Sequence, residues 1–327
     1  MTVTGLILLY NSDFQEAIMT VQSFLIQKGI NLELVISDDG SENDTLDKIR
    51  EYLDSIGKNA VYIKNKSNLG TVRNIYNATR FCKGKYVKAL SPGDVLFGDN
   101  ILQMWVDFME TNNLSASFAD AIYYRIEDDD FVVLKEKAYP QDVSIVGGTA
   151  KSYRNMILYD DIWMGAATFI RLDILQKYIS KIVGKVRYAE DQIFKLMICK
   201  GEKCLYFGRP VIWYEYGVGI STSNQSKWNG LLIDDLLSTY ELLDDAEYSH
   251  FGCKMAYHVK TVAVRKFYES KQKAMDIFIK DIMVNIAIPG GFFWRRYHKR
   301  NIRYTNSASA EYLKMIKGQL PYENAQK

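Results

Sequence analysis

Cysteine and histidine are scarce in this chain of 327 residues, which has four of the first and three of the second. Cys82, Cys199, Cys204 and Cys253 show neither CxxC spacing nor a paired framework, so a disulfide scaffold and a structural zinc site are not expected. Free thiols in a reducing compartment are the simplest reading. His250, His258 and His298 have no HExxH or other metal-ligand spacing and are assigned no chemistry. The chain also lacks a Walker-type phosphate loop and a GxSxG nucleophile elbow. No apolar run approaches the roughly 20 residues that a membrane-spanning helix requires. A formal net charge of +2 gives no whole-chain reason to expect nucleic acid. The opening residues carry no basic n-region or small-residue cleavage site, so they read as a first strand and not as a signal peptide. A cytoplasmic protein is expected, or one peripheral on the inner face of a membrane. With 48% apolar residues, the chain has ample material for a core.

What is present is an alternation of strand-length apolar runs with helical spacing. Residues 3–9 form a continuous apolar run, as suits a parallel strand covered on both faces. Ala17, Ile18, Val21, Phe24 and Leu25 then recur at helical spacing, with Gly29 at the stop. A second run, Leu32 to Ile36, ends in Ser37-Asp38-Asp39-Gly40-Ser41. A helix over 44–55 and a third run over 60–63 complete a βαβαβ unit. Parallel strands joined by right-handed crossovers follow, and ligands in such sheets bind beyond the carboxyl ends of the strands. A helix over 71–81, a strand over 86–90 and a helix over 100–111 continue the pattern. Residues 122–125 and 131–134 read as an antiparallel pair, so the sheet becomes mixed. Long helical segments over 231–243, 253–270 and 273–286 place a boundary near residue 225. The division is thus 1–225 for the α/β domain and 226–327 for a helical C-terminal region.

Three acidic constellations carry chemistry. Asp38 and Asp39 follow a strand, and an acceptor-only carboxylate there suits the imide N–H of uracil or the hydroxyls of ribose. The same residues also make a turn and an N-cap. Asp94 closes Ser91-Pro92-Gly93-Asp94 after another strand, where it could hold Mg²⁺ or Mn²⁺ against a diphosphate; a plain proline-glycine turn competes with that reading. Glu190 and Asp191 open a helical run. They either compensate the helix dipole or include a general base for a sugar hydroxyl.

The order of these groups, with Tyr10-Asn11 after the first strand, Asn68-Leu69-Gly70 before a helix and Gly84-Lys85-Tyr86 leading into Leu90 to Asp94, resembles the family-2 inverting glycosyltransferases. That resemblance implies a GT-A fold, a Rossmann-like mixed α/β sheet flanked by helices, and a nucleotide-sugar donor, most simply a UDP-sugar. It implies that Tyr10 and Asn11 lie near the nucleotide and that Asp38 and Asp39 contact uracil or ribose. Arg73 would approach the nucleotide or its phosphates. Asp191 would activate the acceptor hydroxyl for in-line attack, with Glu190 in support. One departure stands out. Relatives usually carry an Asp-x-Asp-Asp sequence where this chain has Ser91 to Asp94, and the usual metal-ligand carboxylate falls on Gly93. Either Asp94 shifts to hold Mn²⁺ or Mg²⁺, other groups and the diphosphate hold it, or the enzyme depends weakly on metal; the first is preferred.

Trp163 and Met164, before Gly165-Ala166, are candidates for an acceptor platform, although a core tryptophan is the ordinary role of such a residue. Gly217 to Thr222 could bring backbone amides to a phosphate, or be a plain loop. Between Asp281 and Glu311 there is no acidic residue, while Arg295, Arg296, Lys299, Arg300 and Arg303 interleave with Phe292, Phe293, Trp294, Tyr297 and Tyr304. That mixture fits an anionic membrane surface, nucleic acid or a solvated basic face. By analogy with enzymes acting on lipid-linked glycan acceptors, the membrane is preferred. A homo-oligomer is compatible with the sequence, which leaves the oligomeric state open. A non-catalytic nucleotide-sugar-binding scaffold is the alternative from another class. A nucleotidyltransferase is disfavoured, because no glycine-rich, lysine-containing loop lies near the first strand.

Overall fold

The computed structural model describes residues 1–127, 130–134, 163–217, 226–244 and 307–318, together with 140, 149, 150, 248, 249, 251, 252 and 254–258. Its strands are β1 (Thr2–Leu9), β2 (Asn31–Asp38), β3 (Val61–Lys64), β4 (Tyr86–Leu90), β5 (Val95–Leu96), β6 (Ala116–Glu127), β7 (Asp130–Val133), β8 (Thr168–Arg171) and β9 (Cys204–Glu215). The helices are α1 (Phe14–Leu25), α2 (Thr45–Ser55), α3 (Thr71–Ala78), α4 (Ile101–Asn112), α5 (Leu172–Ile182), α6 (Ile193–Lys200), α7 (Ser226–Asp244) and α8 (Ser307–Gly318).

All the strands join one sheet in the order β3-β2-β1-β4-β8-β6-β9-β5, with β7 paired to β6. The first four are mutually parallel. β8 then runs antiparallel to both β4 and β6, and β9 is parallel to β6. The expected mixed α/β sheet is therefore present, including the antiparallel pair of β6 and β7.

The continuous apolar runs follow from burial on both faces. Val3 and Ile7 of β1 enter one core cluster and Leu6 enters the other; in β2, Leu34 and Ile36 oppose Val35. In β4, Tyr86 and Leu90 oppose Val87. Neither face of these strands meets water, so no polar alternation appears in the sequence. The first cluster is filled by α1 and α4, through residues such as Phe24 and Trp105, and by Leu313 and Ile316 of α8. The second is filled by α3, α5 and α6, with Tyr240 and Leu243 of α7. The boundary expected near residue 225 falls between β9 and α7, and α7 packs on the same core as α5 and α6. Most of the helical segments expected over 253–286 lie outside the described residues.

β5 is two residues long, too short to show a periodicity, and β8, four residues long, was not read as a strand in the sequence. β9 is continuously buried only in its second half, from Val211 onward. Gly208 and Pro210 interrupt its first half, and its register against β6 shifts between Phe118 and Ala121. Cys82, Cys199 and Cys204 are buried, and Cys253 lies outside the described residues. Among the described residues no helix is long and apolar enough to cross a membrane.

Candidate active site

Leu9 of β1 pairs with Asp38 of β2, which places Tyr10-Asn11 beside Asp38-Asp39 at the carboxyl edge of the sheet. Asn11 has a left-handed backbone, φ +48. Its N–H donates to Ser41 Oγ at 2.8 Å, and its Oδ1 accepts the Glu42 N–H at 2.9 Å. Ser41 in turn donates its hydroxyl and its N–H to Asp38 Oδ1, at 2.5 and 2.9 Å. Asp38 is wholly buried, with Lys64 Nζ 3.7 Å from its Oδ2. It therefore holds the turn from beneath.

Asp39 is 4% exposed and organises the next loop. Its Oδ1 accepts Asn65 Nδ2 at 2.9 Å and the Leu69 N–H at 3.0 Å, while its Oδ2 accepts the Gly70 N–H at 2.8 Å. A carboxylate offers about four acceptor positions, and these three fill most of them. Tyr10 stands at the mouth, half exposed. Arg73 is exposed on α3 and turns toward Gly184, whose ideal Cβ would lie 3.7 Å from Arg73 Nη2. Arg187 approaches the Asp39 loop more closely, donating from Nη2 to the Asn68 carbonyl at 3.4 Å.

The Glu190–Gln192 turn leads into α6. Its approach is fixed by Asp235 of α7, a buried carboxylate that accepts the N–H groups of Arg187, Tyr188 and Ala189 at 2.8, 2.7 and 2.9 Å. Gly165 faces the turn so closely that an ideal Cβ there would stand 2.9 Å from Glu190 Oε1 and 3.6 Å from the Asp191 Cβ. A cavity lined by Leu90, Ser91, Gly165, Ala166, Glu190 and Phe194 connects this turn with the end of β4. Burial raises the pKa of Glu190, and the charges of Asp191 and Asp235 add to the shift. At the mouth of α6 the helix dipole favours negative charge on the turn.

Trp163 is buried at 1% exposure and stacks on Phe118 at 4.2 Å and against Phe194 at 5.0 Å. Both neighbours are core residues, so its ring packs in the core, the ordinary role of a buried tryptophan. Met164 is half-buried, with Tyr123 Oη 3.7 Å from its sulfur.

At the end of β4, Asp94 is 5% exposed and lies behind the turn. Its Oδ1 accepts the Glu215 N–H at 3.3 Å, and its own N–H reaches the Ser91 carbonyl at 3.2 Å. Lys88 is wholly buried nearby and donates to the carbonyls of Ala89 and Ala166. Burial pushes the Asp94 carboxyl up and the Lys88 ammonium down, and each opposes the shift in the other. Among the described residues no group of three or more His, Cys, Asp or Glu side chains forms a metal cage. A Mg²⁺ or Mn²⁺ site needs only one or two protein carboxylates where substrate phosphates supply the rest. Glu215 Oε2, buried beside Gly93 of the 91–94 turn, accepts no hydrogen bond from any described residue, and an anionic oxygen of that kind suits such an ion. The donor set therefore fits such an ion. Burial pushes Glu215 up to about 7, and the carboxylates of Glu16 and Asp13 contribute.

The sequence did not single out Asp235, Arg187, Lys88 or Glu215. Glu215 alone left a trace, as a lone acid closing the buried run Val211 to Tyr214. Asp235 left none, because an acid in a helix is ordinarily solvated. Of the Gly217 to Thr222 loop, only Gly217 lies within the described residues.

Comparison with known proteins bears on this arrangement. Residues 6–170 match the family model described as Glycosyl transferase family 2. The chain is 32% identical over 209 residues to the UDP-Glc:alpha-D-GlcNAc-diphosphoundecaprenol beta-1,3-glucosyltransferase WfaP of Escherichia coli, a match covering 64% of this chain and 75% of that one. In fold it is similar to S. aureus TarS 1-349 in complex with UDP-GlcNAc, with a TM-score of 0.57 at 14% identity over 84% of this chain and 77% of that one. It spans 45% of a longer TarS chain. The mannosyltransferase PcManGT of Pyrobaculum calidifontis, in complex with GDP-Man and Mn2+, is similar with a TM-score of 0.56 at 12% identity, over 98% of this chain and 87% of that one.

Proposed function

The chain belongs to glycosyl transferase family 2, and from that premise we propose that it moves a sugar from a UDP donor, with inversion, onto a lipid-linked glycan acceptor. That it is a glycosyltransferase of the GT-A fold follows from the family and the sheet; donor, acceptor and stereochemistry are the proposal. One observation carries it. The turn held by Asp235 sets Glu190 and Asp191 against Gly165, on a cavity that reaches Ser91 at the carboxyl end of β4. Glu190, with Asp191 next to it in the turn, thus shares one cavity with the carboxyl end of β4.

In this reading Tyr10 lies beside the base, and Asp39 with its loop shapes the nucleoside pocket. Arg73 or Arg187 meets the phosphates; a planar, permanently charged fork suits that task. Asp191 takes the proton from the acceptor hydroxyl, whose oxygen attacks the anomeric carbon opposite the departing UDP. Attack from that face inverts the centre. Glu190, whose environment favours the protonated form, donates a hydrogen bond to the acceptor or to Asp191 without adding a second negative charge. A divalent cation near Asp94 would neutralise the charge that develops on the diphosphate.

The donor and acceptor classes rest on the activity of the E. coli relative, which is a glucosyltransferase from UDP-Glc to alpha-D-GlcNAc-diphosphoundecaprenol. A lipid-linked acceptor also suits the basic and aromatic residues over 292–304, which would bring the catalytic domain, residues 1–225, to the inner face of an anionic membrane. Those residues lie outside the described ones. The deciding experiment compares wild type with Asp191→Asn for UDP binding by thermal shift and for transfer from UDP-glucose to GlcNAc-diphospholipid. Binding retained with transfer lost is expected; full transfer by the variant would remove Asp191 as the base. UDP binding without transfer across a broad acceptor panel would favour the scaffold reading.

A further inference from the structure

Gly93 occupies the position where a carboxylate would ordinarily be sought, and its surroundings explain the glycine. Its backbone is left-handed, φ +90. An ideal Cβ built on it would overlap Glu215 Oε2 and stand 3.2 Å from the Glu215 Cδ and 3.3 Å from the Glu215 Cβ. Glu215 arrives from β9, the strand next to β5, and the pairing of Val95 with Trp213 fixes its height relative to the 91–94 turn. The space denied to a side chain at position 93 is therefore filled by a carboxylate from another strand.

That carboxylate is poorly satisfied. Glu215 is 8% exposed, and its Oε2 receives no hydrogen bond from any described residue. Lys88, the buried cation of the region, gives its hydrogen bonds to the Ala89 and Ala166 carbonyls. Its ammonium and the Asp94 carboxylate are near enough to oppose each other's burial. Glu16 and Asp13 face Glu215 as further acids, and the Gly93 N–H is held by the Glu16 carbonyl at 3.2 Å. A nearly buried carboxylate oxygen with acids around it is costly unless a proton or a cation joins it.

We propose that Glu215 is the second protein ligand for a divalent cation at the donor diphosphate, supplying from β9 the carboxylate oxygen that Gly93 does not. The inference rests on the UDP-donor reading above. A shift of the ligand between strands is chemically equivalent, because a hard cation is indifferent to which strand presents the oxygen, provided that it is anionic and correctly placed. Gly93 is then required for a steric reason as well as a conformational one: any side chain there would displace Glu215 Oε2. Position 93 and position 215 form a reciprocal pair in which only one can carry the carboxylate.

The experiment measures Mn²⁺ binding to the full chain by electron paramagnetic resonance of free Mn²⁺, in the presence of saturating UDP, for wild type, Glu215→Gln and Glu215→Asp. UDP binding by wild type is measured in parallel with Mn²⁺ and in EDTA; no binding under either condition would overturn the donor reading, whereas binding weakened only in EDTA is what a cation shared with the diphosphate requires. With UDP bound, wild type is expected to take up Mn²⁺, and Glu215→Gln to lose at least ten-fold in Mn²⁺ affinity at unchanged UDP affinity in EDTA. Glu215→Asp should keep the charge with an intermediate affinity. Equal Mn²⁺ affinity in wild type and Glu215→Gln, or no Mn²⁺ uptake by UDP-bound wild type, would overturn the assignment. A second readout needs no variant. Fe²⁺ with ascorbate and peroxide, added to UDP-bound wild type, should cut the chain near residues 93 and 215 in a manner suppressed by excess Mn²⁺. Cutting confined to other segments would count against the proposal.

Discussion

Oδ2 of Asp235 accepts the backbone N–H of Ala189 at 2.9 Å, one residue before Glu190. With the bonds from Arg187 and Tyr188, the carboxylate of a C-terminal helix fixes the entry to the acid pair. Asp235→Asn keeps the shape but removes the charge and turns one of the two accepting oxygens into an NH2 donor, which leaves at least one of the three N–H groups without its acceptor. Transfer is expected to fall by roughly ten- to a hundred-fold, the scale on which small misplacements of reacting groups act. UDP affinity should change less than two-fold. A parallel loss of both, measured by steady-state kinetics and UDP titration, would mean that Asp235 serves general stability and does not position the turn.

Gly70 begins α3 at φ +89, and an ideal Cβ there would lie 2.6 Å from the Arg187 carbonyl. Its N–H is also one of the groups that Asp39 collects. Gly70→Ala therefore strains both the loop that Asp39 organises and its contact with the 187–189 segment, at a cost of about 1–3 kcal/mol. A lowered melting temperature and weaker UDP binding should appear together.

Burial and the neighbouring acids hold the pKa of Glu190 above the ordinary 4.5 of a glutamate. The sign follows from linkage: the folded state binds this proton more tightly than the unfolded one. The stabilisation is complete below pH 4.5 and is lost as pH rises through the folded value. Glu190→Gln removes that dependence. The melting temperature of the variant minus that of wild type should increase between pH 5 and pH 8; a constant difference would contradict the environment described for Glu190.

Trp163→Ala removes a ring stacked between Phe118 and Phe194, and the expected loss is about 3–5 kcal/mol in chemical denaturation. Trp163→Phe should recover much of it. A Trp163→Ala protein of native stability with weakened acceptor binding would return this residue to the acceptor site.

The C-terminal tail needs substitution and not truncation. Leu313 and Ile316 of α8 are buried in the core cluster that holds β1 and α1, so removing the last turns of the chain would expose that core. Replacing Arg295, Arg296, Lys299, Arg300 and Arg303 together by Gln leaves α8 in place. Binding to vesicles containing anionic lipid should fall strongly, and wild-type binding should weaken with salt. Unaltered binding by the substituted chain would remove the membrane assignment.

The sequence by itself determined the parallel half of the sheet. Runs such as 3–9 and 86–90 are buried on both faces, and that condition is written locally as unbroken hydrophobicity. It also placed Tyr10-Asn11, Asp38-Asp39 and Glu190-Asp191 at strand ends or helix mouths, because turn chemistry and helix starts are local signals. Only the tertiary structure decided what those groups face. Asp39 was legible as a strand-end carboxylate but not as the acceptor for Asn65, Leu69 and Gly70, since which N–H groups converge on it depends on the path of a later loop. Asp94 was legible as an acid after a turn, yet its burial behind that turn follows from the packing of β9. Trp163 could be read either way until Phe118 was seen against its ring. Asp235 and Glu215 act on residues far away in the chain, and a partnership of that kind leaves no local periodicity to read.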